Sequence, residues 1–306
     1  MLRQCLIISA LFCVTNAFAL TYELTPGSDI VGQVQSYTSK KGESFADVAR
    51  KFDLGIIELQ EANPNIDGKK ALKAGTTFVI PTQFILPNGA PHQGIILNLA
   101  ELRLYYFPPN TNTVMTFPVG IGRQGWRTPI GQTTIVQKRA NPEWIPPDSI
   151  RAEAEANGHE LPDVVPAGPN NPLGLFAMNL GWTNYRMHGT NVPSSIGTRA
   201  SHGCIRMFPE DIDSLFHQVE VGTPVSVVHE PFKVGVMDGQ LYFEAHEPFP
   251  EQYYTKGESE DDMVKNEVTS TQAEFPSAST SINWSEVQKL IKDTYGYPVK
   301  ITNVPN

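Results

Sequence analysis

Cysteine is scarce in this chain, and the other things it lacks exclude several classes of protein. Three cysteines occur in 306 residues: Cys5, Cys13 and Cys204. There is no HExxH and no CxxC, so the helix of a zinc peptidase and the paired thiols of a redox or zinc motif are both missing. His188, His202 and Cys204 are ligand types that lack a convincing fourth partner, so neither a metal nor a cofactor is expected. No segment beyond the first twenty residues approaches about eighteen uninterrupted apolar positions, so no membrane span is expected in the mature chain. Positive charge is short too. Lys+Arg number 23 against 32 Asp+Glu, a net −9, and a nucleic-acid partner would need a basic face.

The N-terminus accounts for two of the three thiols. Arg3 precedes the apolar run Leu6 to Val14, and Ala17-Phe18-Ala19 is an A-x-A cleavage site, so residues 1–19 read as a signal peptide. An exported mature chain would then keep Cys204 alone. It has no structural disulfide to form, and an odd thiol in an oxidising compartment suggests reactivity. Neither Cys5 nor Cys13 has a lipoprotein-processing context. With 40% hydrophobic residues, 25 prolines and 24 glycines, a soluble chain with many turns is expected, made of one sizeable domain and a smaller one.

Chemistry concentrates in Ser201-His202-Gly203-Cys204-Ile205-Arg206, with His188-Gly189-Thr190 beginning sixteen positions before the cysteine. A thiol is a nucleophile as its thiolate, and a nearby imidazole is the usual means of generating it. Gly203 permits a tight turn and keeps the approach to sulfur clear. Neighbouring N–H groups would then face an oxyanion on an attacked carbonyl. Singly, such a cysteine is more often a small buried hydrophobe and such a histidine a structural one; together they point to cysteine acyl transfer.

Along the chain, residues 20–35 read as an extended arm. Tyr37-Thr38 suits a short strand, and Ser44 caps a helix to Phe52 with Asp47 at the reciprocal position. A second helix over about 56–62 ends at Asn63-Pro64-Asn65, and Thr77 to Ile80 is a strand closed by Pro81. Residues 82–93 read as a linker. Short strands follow over 94–99, 102–107, 114–120 and 133–138, pointing to an all-β sandwich or barrel-like fold. The Pro- and Gly-rich stretch 141–174, with one helix near 150–157, is expected to form a lid. Strands over 175–180 and 185–188 bring His188 to the site, and 191–200 is a flexible connector. A helix from Pro209 to Val219 and a strand over 225–228 complete the domain. A strand pair flanks Gly239, 251–281 reads as a polar linker whose run Glu258 to Asp262 is a solvated face, and a C-terminal helix spans 284–295.

Residues 36–81, with Tyr37-Thr38, Lys41-Gly42-Glu43-Ser44, Ile57 to Asn63 and Ala74 to Pro81, resemble a LysM domain. That resemblance implies binding to N-acetylglucosamine-containing glycan strands. The HGT box joined to the SHGC box, with Thr128-Pro129-Ile130-Gly131 ahead of them, resembles the YkuD-type L,D-transpeptidases over about 94–229. The order of domains, with 230–306 as a C-terminal extension, is similar to the ErfK/YbiS branch. The resemblance implies a mainly β, sandwich-like catalytic domain beside a βααβ LysM domain, in a periplasmic protein. It makes Cys204 the nucleophile and His188 the general base, later the acid. It places Gly203 and Cys204 N–H groups in an oxyanion hole, His202 as orienter of the loop, a backbone carbonyl on His188, and Ser201 and Gly189 in the site. Arg206 stands where many members have asparagine, as a substrate-carboxylate clamp or a structural ion pair.

The implied donor is a peptidoglycan tetrapeptide stem cut between meso-diaminopimelate and D-alanine. The implied acceptor is a lysine of an outer-membrane protein or lipoprotein, with 3–3 cross-linking or water as alternatives. A LysM glycan-binding scaffold with no activity is the non-enzymatic alternative.

Overall fold

A computed structural model of the chain describes residues 19–249, 259–274 and 281–302. Residues 1–18 of the expected leader, with Cys5 and Cys13, lie outside them. The centre is a nine-stranded sheet. Along the chain its strands are β1 (Leu20–Glu23), β4 (Gly94–Asn98), β5 (Arg103–Phe107), β6 (Thr113–Pro118), β8 (Gly131–Ala140), β9 (Phe176–Leu180), β10 (Arg186–His188), β12 (Ile205–Arg206) and β13 (Pro224–Val228). They pair in the order β1-β6-β5-β4-β13-β8-β9-β10-β12, parallel only at β4–β13 and β10–β12. A two-stranded pair, β7 (Ile121–Gly122) with β11 (Arg199–Ser201), lies beside the end of the sheet.

Both faces of this sheet are covered, and the two-residue period of a strand shows how. Ile95, Leu97, Leu104 and Tyr106 enter one core with Ile212 and Leu215 of helix α4 (Pro209–Gln218). The alternate residues Ile96, Tyr105 and Phe107 enter a second core with Val31, Phe84 and Leu86. Those last three belong to or adjoin the LysM-like unit: β2 (Ile30–Thr38), α1 (Phe45–Lys51), α2 (Ile56–Ala62) and β3 (Thr77–Ile85). Ser44 and Asp47 cap α1 reciprocally, as their spacing requires. Asn63 is buried, and its amide bonds Leu59 and Val79 backbone groups, which staples the end of α2 to β3. A third unit packs β14 (Phe232–Met237), β15 (Gln240–Ala245) and β16 (Val299–Lys300) against α5 (Glu260–Glu274) and α6 (Trp284–Asp293) around its own core.

Four expectations need correction. The arm over 20–35 is not free: β1 pairs with β6 at the sheet edge and β2 begins at Ile30. Pro81 does not end its strand, since it lies opposite Val34 in a two-stranded ribbon where each strand keeps an open edge that needs no N–H. Of the linker over 82–93, residues up to Ile85 continue β3 and the rest is a docked strap: Leu86 and Ala90 are buried, and the N–H groups of Asn88 and Gly89 bind the Glu230 carboxylate. The polar linker over 251–281 contains α5, whose Val264, Val268 and Thr271 form a narrow buried stripe. Its acidic run opens the helix, with Ser259 bonding Asp262, where carboxylates favour the positive helix end.

The three units meet on buried charges. Arg103 of β5 is completely buried and donates to both oxygens of Glu58 on α2, to the Asp53 carbonyl and to Thr116. Burial opposes its charge, but Glu58 more than offsets this and its pKa is raised. Beside it, burial raises Asp53 to about 6, and burial together with Asp53 holds Asp211 of α4 well above the usual carboxylate range. On the other side Lys233 lies 2.9 Å from both Glu101 and Glu244, and His246 bridges Glu244 to Glu61. Glu101, Glu244 and His246 are all metal-ligand types, but the two carboxylates already pair with Lys233, and His246 pairs with Glu244 and Glu61.

Removing one member of a buried pair strands the other. Glu58→Ala is therefore expected to lower the unfolding free energy by about 3–5 kcal/mol in chemical denaturation. Glu210→Ala breaks only the exposed pair with Arg50 and should cost about 1 kcal/mol or less. Equal effects would contradict this account of the interface.

Candidate active site

Alternation along two adjacent strands builds the site. β12 runs parallel to β10, with Met187 opposite Ile205 and His188 opposite Arg206. Met187 and Ile205 are fully buried in the main core. Period two therefore turns Arg186 and His188 to the other face, and Cys204 and Arg206 with them. All four line one cavity of about 260 Å³. Cys204 stands one residue before β12, opposite Arg186, whose backbone N–H and guanidinium both favour the thiolate. The thiol donates to the Asn184 carbonyl at 3.5 Å, and Asn184 takes a left-handed turn conformation, φ 71°, to present it.

Small residues and hydroxyls fix the loop that carries the thiol. Gly203 has φ +100°, and a Cβ there would meet the Tyr185 ring at 2.8 Å. Ser201 Oγ accepts from the Gly203 N–H at 3.1 Å and donates to the Cys204 carbonyl at 2.6 Å, so the Gly203 N–H expected in the oxyanion hole is already engaged. Thr128, from the Thr-Pro-Ile-Gly box, donates to the Gly203 carbonyl and accepts from Gly122. Gly189 packs closely against Ile212 and Leu173.

His188 is 4% exposed, with Nδ1 2.6 Å from the Gly189 carbonyl. That carbonyl can only accept, so Nδ1 holds the proton and Nε2 of the neutral ring keeps its lone pair. Burial, then the Arg206 charge, lowers its pKa to about 3. Burial pushes the Cys204 thiol up, opposed by the Arg186 guanidinium, the Arg186 N–H and Arg206. Among the described residues no hydrogen bond joins the imidazole to the sulfur; in sites without substrate such bonds are often long. The site holds a neutral thiol and a neutral imidazole beside two guanidinium groups.

The stretch 141–174 roofs the cavity. Trp144, Pro147, Ser149 and Ile150 line it, the last two on α3 (Asp148–Ala156), a surface helix with no buried residue. Glu153 of α3 pairs with Arg123 and, at 2.5 Å, with His202, whose ring also lies edge-on to Trp126. His202 thus ties the cysteine loop to the roof. The expected flexible connector over 191–200 is instead packed: Ser195 and Ile196 are buried, and Gly197 presses on Gly55 at the start of α2. No residue pairs with Arg206 in a structural ion pair among the described residues. Arg186, Glu153, Arg123, Trp126 and Asn184 were not foreseen. Arg186-x-His188 mirrors Cys204-x-Arg206, so Arg186 had a signal; Glu153, 49 residues from His202, had none.

Residues 92–227 match the L,D-transpeptidase catalytic domain, and residues 37–81 match the LysM domain. The chain is 41% identical over 295 residues to the probable L,D-transpeptidase YbiS of Escherichia coli, covering 95% of this chain and 94% of that protein. It is 44% identical to the probable L,D-transpeptidase YcfS of the same organism, over 77% of this chain and 75% of that protein. It is 39% identical to the probable L,D-transpeptidase ErfK/SrfK of Salmonella typhimurium, over 94% of this chain and 92% of that protein. The chain is therefore a transpeptidase. More narrowly, it belongs to the L,D-transpeptidase family, with a LysM domain and a peptidoglycan-related function. No helix among the described residues is long and apolar enough to cross a membrane.

The electrostatics fix the pH behaviour. The His188 ring stays neutral down to near pH 3. The pH profile of kcat/KM should accordingly show no acid limb near about 6.5, the ordinary histidine value. Alkylation of Cys204 by iodoacetamide should have its midpoint above about 8.5, that of a free thiol. An acid limb at the ordinary histidine value would contradict the buried, neutral imidazole.

Proposed function

We propose that Cys204 attacks the carbonyl between meso-diaminopimelate and D-alanine of a peptidoglycan tetrapeptide stem. The observation that carries this reading is the common face shared by Cys204 and His188 in one roofed cavity. His188 Nε2 takes the thiol proton, the thiolate adds to the carbonyl, and His188 returns the proton to the departing amine of D-alanine. The stem is left as a thioester on Cys204. The Cys204 N–H supplies a donor to the oxyanion, while Ser201 holds the Gly203 N–H and with it the loop. An amine then takes the acyl group, with His188 again as base.

The acceptor we favour is a lysine of an outer-membrane protein or lipoprotein, from the likeness to the ErfK/YbiS branch over nearly the whole chain. A second stem's diaminopimelate, giving 3–3 cross-links, and water are the alternatives. We place the enzyme in the periplasm after loss of residues 1–19, with LysM over 36–81 on glycan strands, catalysis in 94–229, and 230–306 as an extension.

The test is intact-mass spectrometry of the protein with a disaccharide-tetrapeptide. The wild type should gain the mass of the stem less D-alanine and release D-alanine, whereas Cys204→Ala should gain nothing. His188→Ala should slow acylation by about 10²- to 10⁴-fold, the usual contribution of a positioned base. Folded, reduced wild type that takes up no adduct would overturn the reading. Adding a lysine peptide, a second stem, or neither then identifies the acceptor from the product formed.

A further inference from the structure

The cavity around Cys204 carries cations without an anion. Arg186 and Arg206 both line it, and no aspartate or glutamate does. Neither arginine pairs with a carboxylate among the described residues, whereas Arg123 on the rim pairs with Glu153 and Arg151 with Asp163. Both guanidiniums are half-buried, and burial works against the charge on Arg206. A partly desolvated cation without a counter-ion is costly, and a guanidinium fork matches a carboxylate in geometry as well as charge. The strand register fixes their place: Arg186 lies opposite Cys204, and Arg206 lies opposite His188. Both guanidiniums therefore act on the reacting pair, Arg186 on Cys204 and Arg206 on His188.

We propose that Arg186 and Arg206 form a clamp for a free carboxylate of the donor peptide flanking the scissile amide. This rests on the transpeptidase reading above and adds its selection rule. Two donor carboxylates have this chemistry: that of the departing D-alanine, and that on the diaminopimelate side chain. The first is favoured by the site. It hangs from the carbon bearing the leaving amine, which His188 must reach, and Arg206 stands beside His188. Clamping it places the attacked carbonyl one residue from the chain end and turns away longer or blocked peptides. No residue of the clamp needs to change protonation, and no bond is made or broken at either arginine.

The experiment measures acylation kinetics by intact mass for the wild type, Arg186→Gln, Arg206→Gln and Arg186→Lys. Three donors are used: the free tetrapeptide stem, its C-terminal carboxamide, and the stem amidated on the diaminopimelate side chain. For the wild type, kcat/KM should fall about 10- to 100-fold on amidation of the clamped carboxylate, as for loss of a charged hydrogen bond. The donor that shows the fall identifies the source. Arg186→Gln and Arg206→Gln should lose a similar factor on the free stem and little more on that amide, so that the preference for carboxylate over amide collapses. Arg186→Lys should keep part of it. A residue of purely structural importance would slow all donors alike.

The donor series on wild type needs no variant to fold. Wild type that acylates equally with all three donors overturns the clamp and leaves the thioester mechanism standing. An unchanged preference in both glutamine variants does the same. Wild type that acylates with none overturns the mechanism and the clamp together.

Discussion

The short parallel pairing of Met187–His188 with Ile205–Arg206 is the constraint on which the site depends. A slip of one residue would send the reactive face into the core and Met187 or Ile205 into the cavity, because side chains alternate along a strand. The register is held from both sides. The Met207 N–H bonds the His188 carbonyl, and Gly120 exchanges both backbone hydrogen bonds with Arg206 on the other edge. Gly120 itself is pressed against the Ser195 carbonyl, where a Cβ would come within 2.5 Å. Ser201 and Thr128 then fix the turn that feeds the strand. Two residue pairs suffice because so much of their surroundings is already committed.

The same pairing sets the electrostatics. Sinking His188 beside Arg206 costs the imidazole its charged form, and the Gly189 carbonyl settles which nitrogen keeps a proton. The ring thus keeps an unprotonated Nε2 at neutral pH, and the burial that lowers its pKa also makes it a weaker base than a free imidazole. Burial likewise keeps the sulfur protonated, and the two guanidiniums favour the thiolate once it forms. In the proposed reaction the negative charge on sulfur, and then on the carbonyl oxygen, would arise among fixed cations and dipoles. Such pre-arranged charges need little reorganisation during reaction.

Much of this was legible in the sequence, and what was not has a physical reason. The proposed nucleophile and base stand in two His-Gly boxes, and capping and apolar spacing gave α1, α2, α4 and α6. The polar helix α5 was hidden because its buried stripe is only Val264, Val268 and Thr271 in an otherwise solvated sequence. Composition reads such a segment as a linker, while packing against β14 makes it a helix. The strap over 86–93 and the connector over 191–200 have the residues of loops but are partly buried, since other units cover them. Arg103 carries no local sign of burial until Glu58, 45 positions earlier, is placed opposite it. Long-range partners of this kind leave no local pattern.

These long-range partners decide whether the LysM domain is a tether or a fixed part of the enzyme. Gly55 and Gly197 meet so closely that a Cβ on Gly197 would lie 2.2 Å from the Gly55 Cα, and the Ile57 N–H bonds the Gly197 carbonyl. Glu58 of the same helix neutralises Arg103 of the catalytic sheet, and Arg50 reaches Glu210 at the start of α4. The docking surface is thus the connector just before the cysteine box and the helix just after it. Swinging the LysM domain away would expose an apolar face and strip a buried arginine of its counter-ion, a change costly enough to hold the two together. A glycan strand seated on this domain would lie at a set distance and angle from Cys204. The stem peptides presented to the cavity would then be chosen by geometry before any chemistry begins.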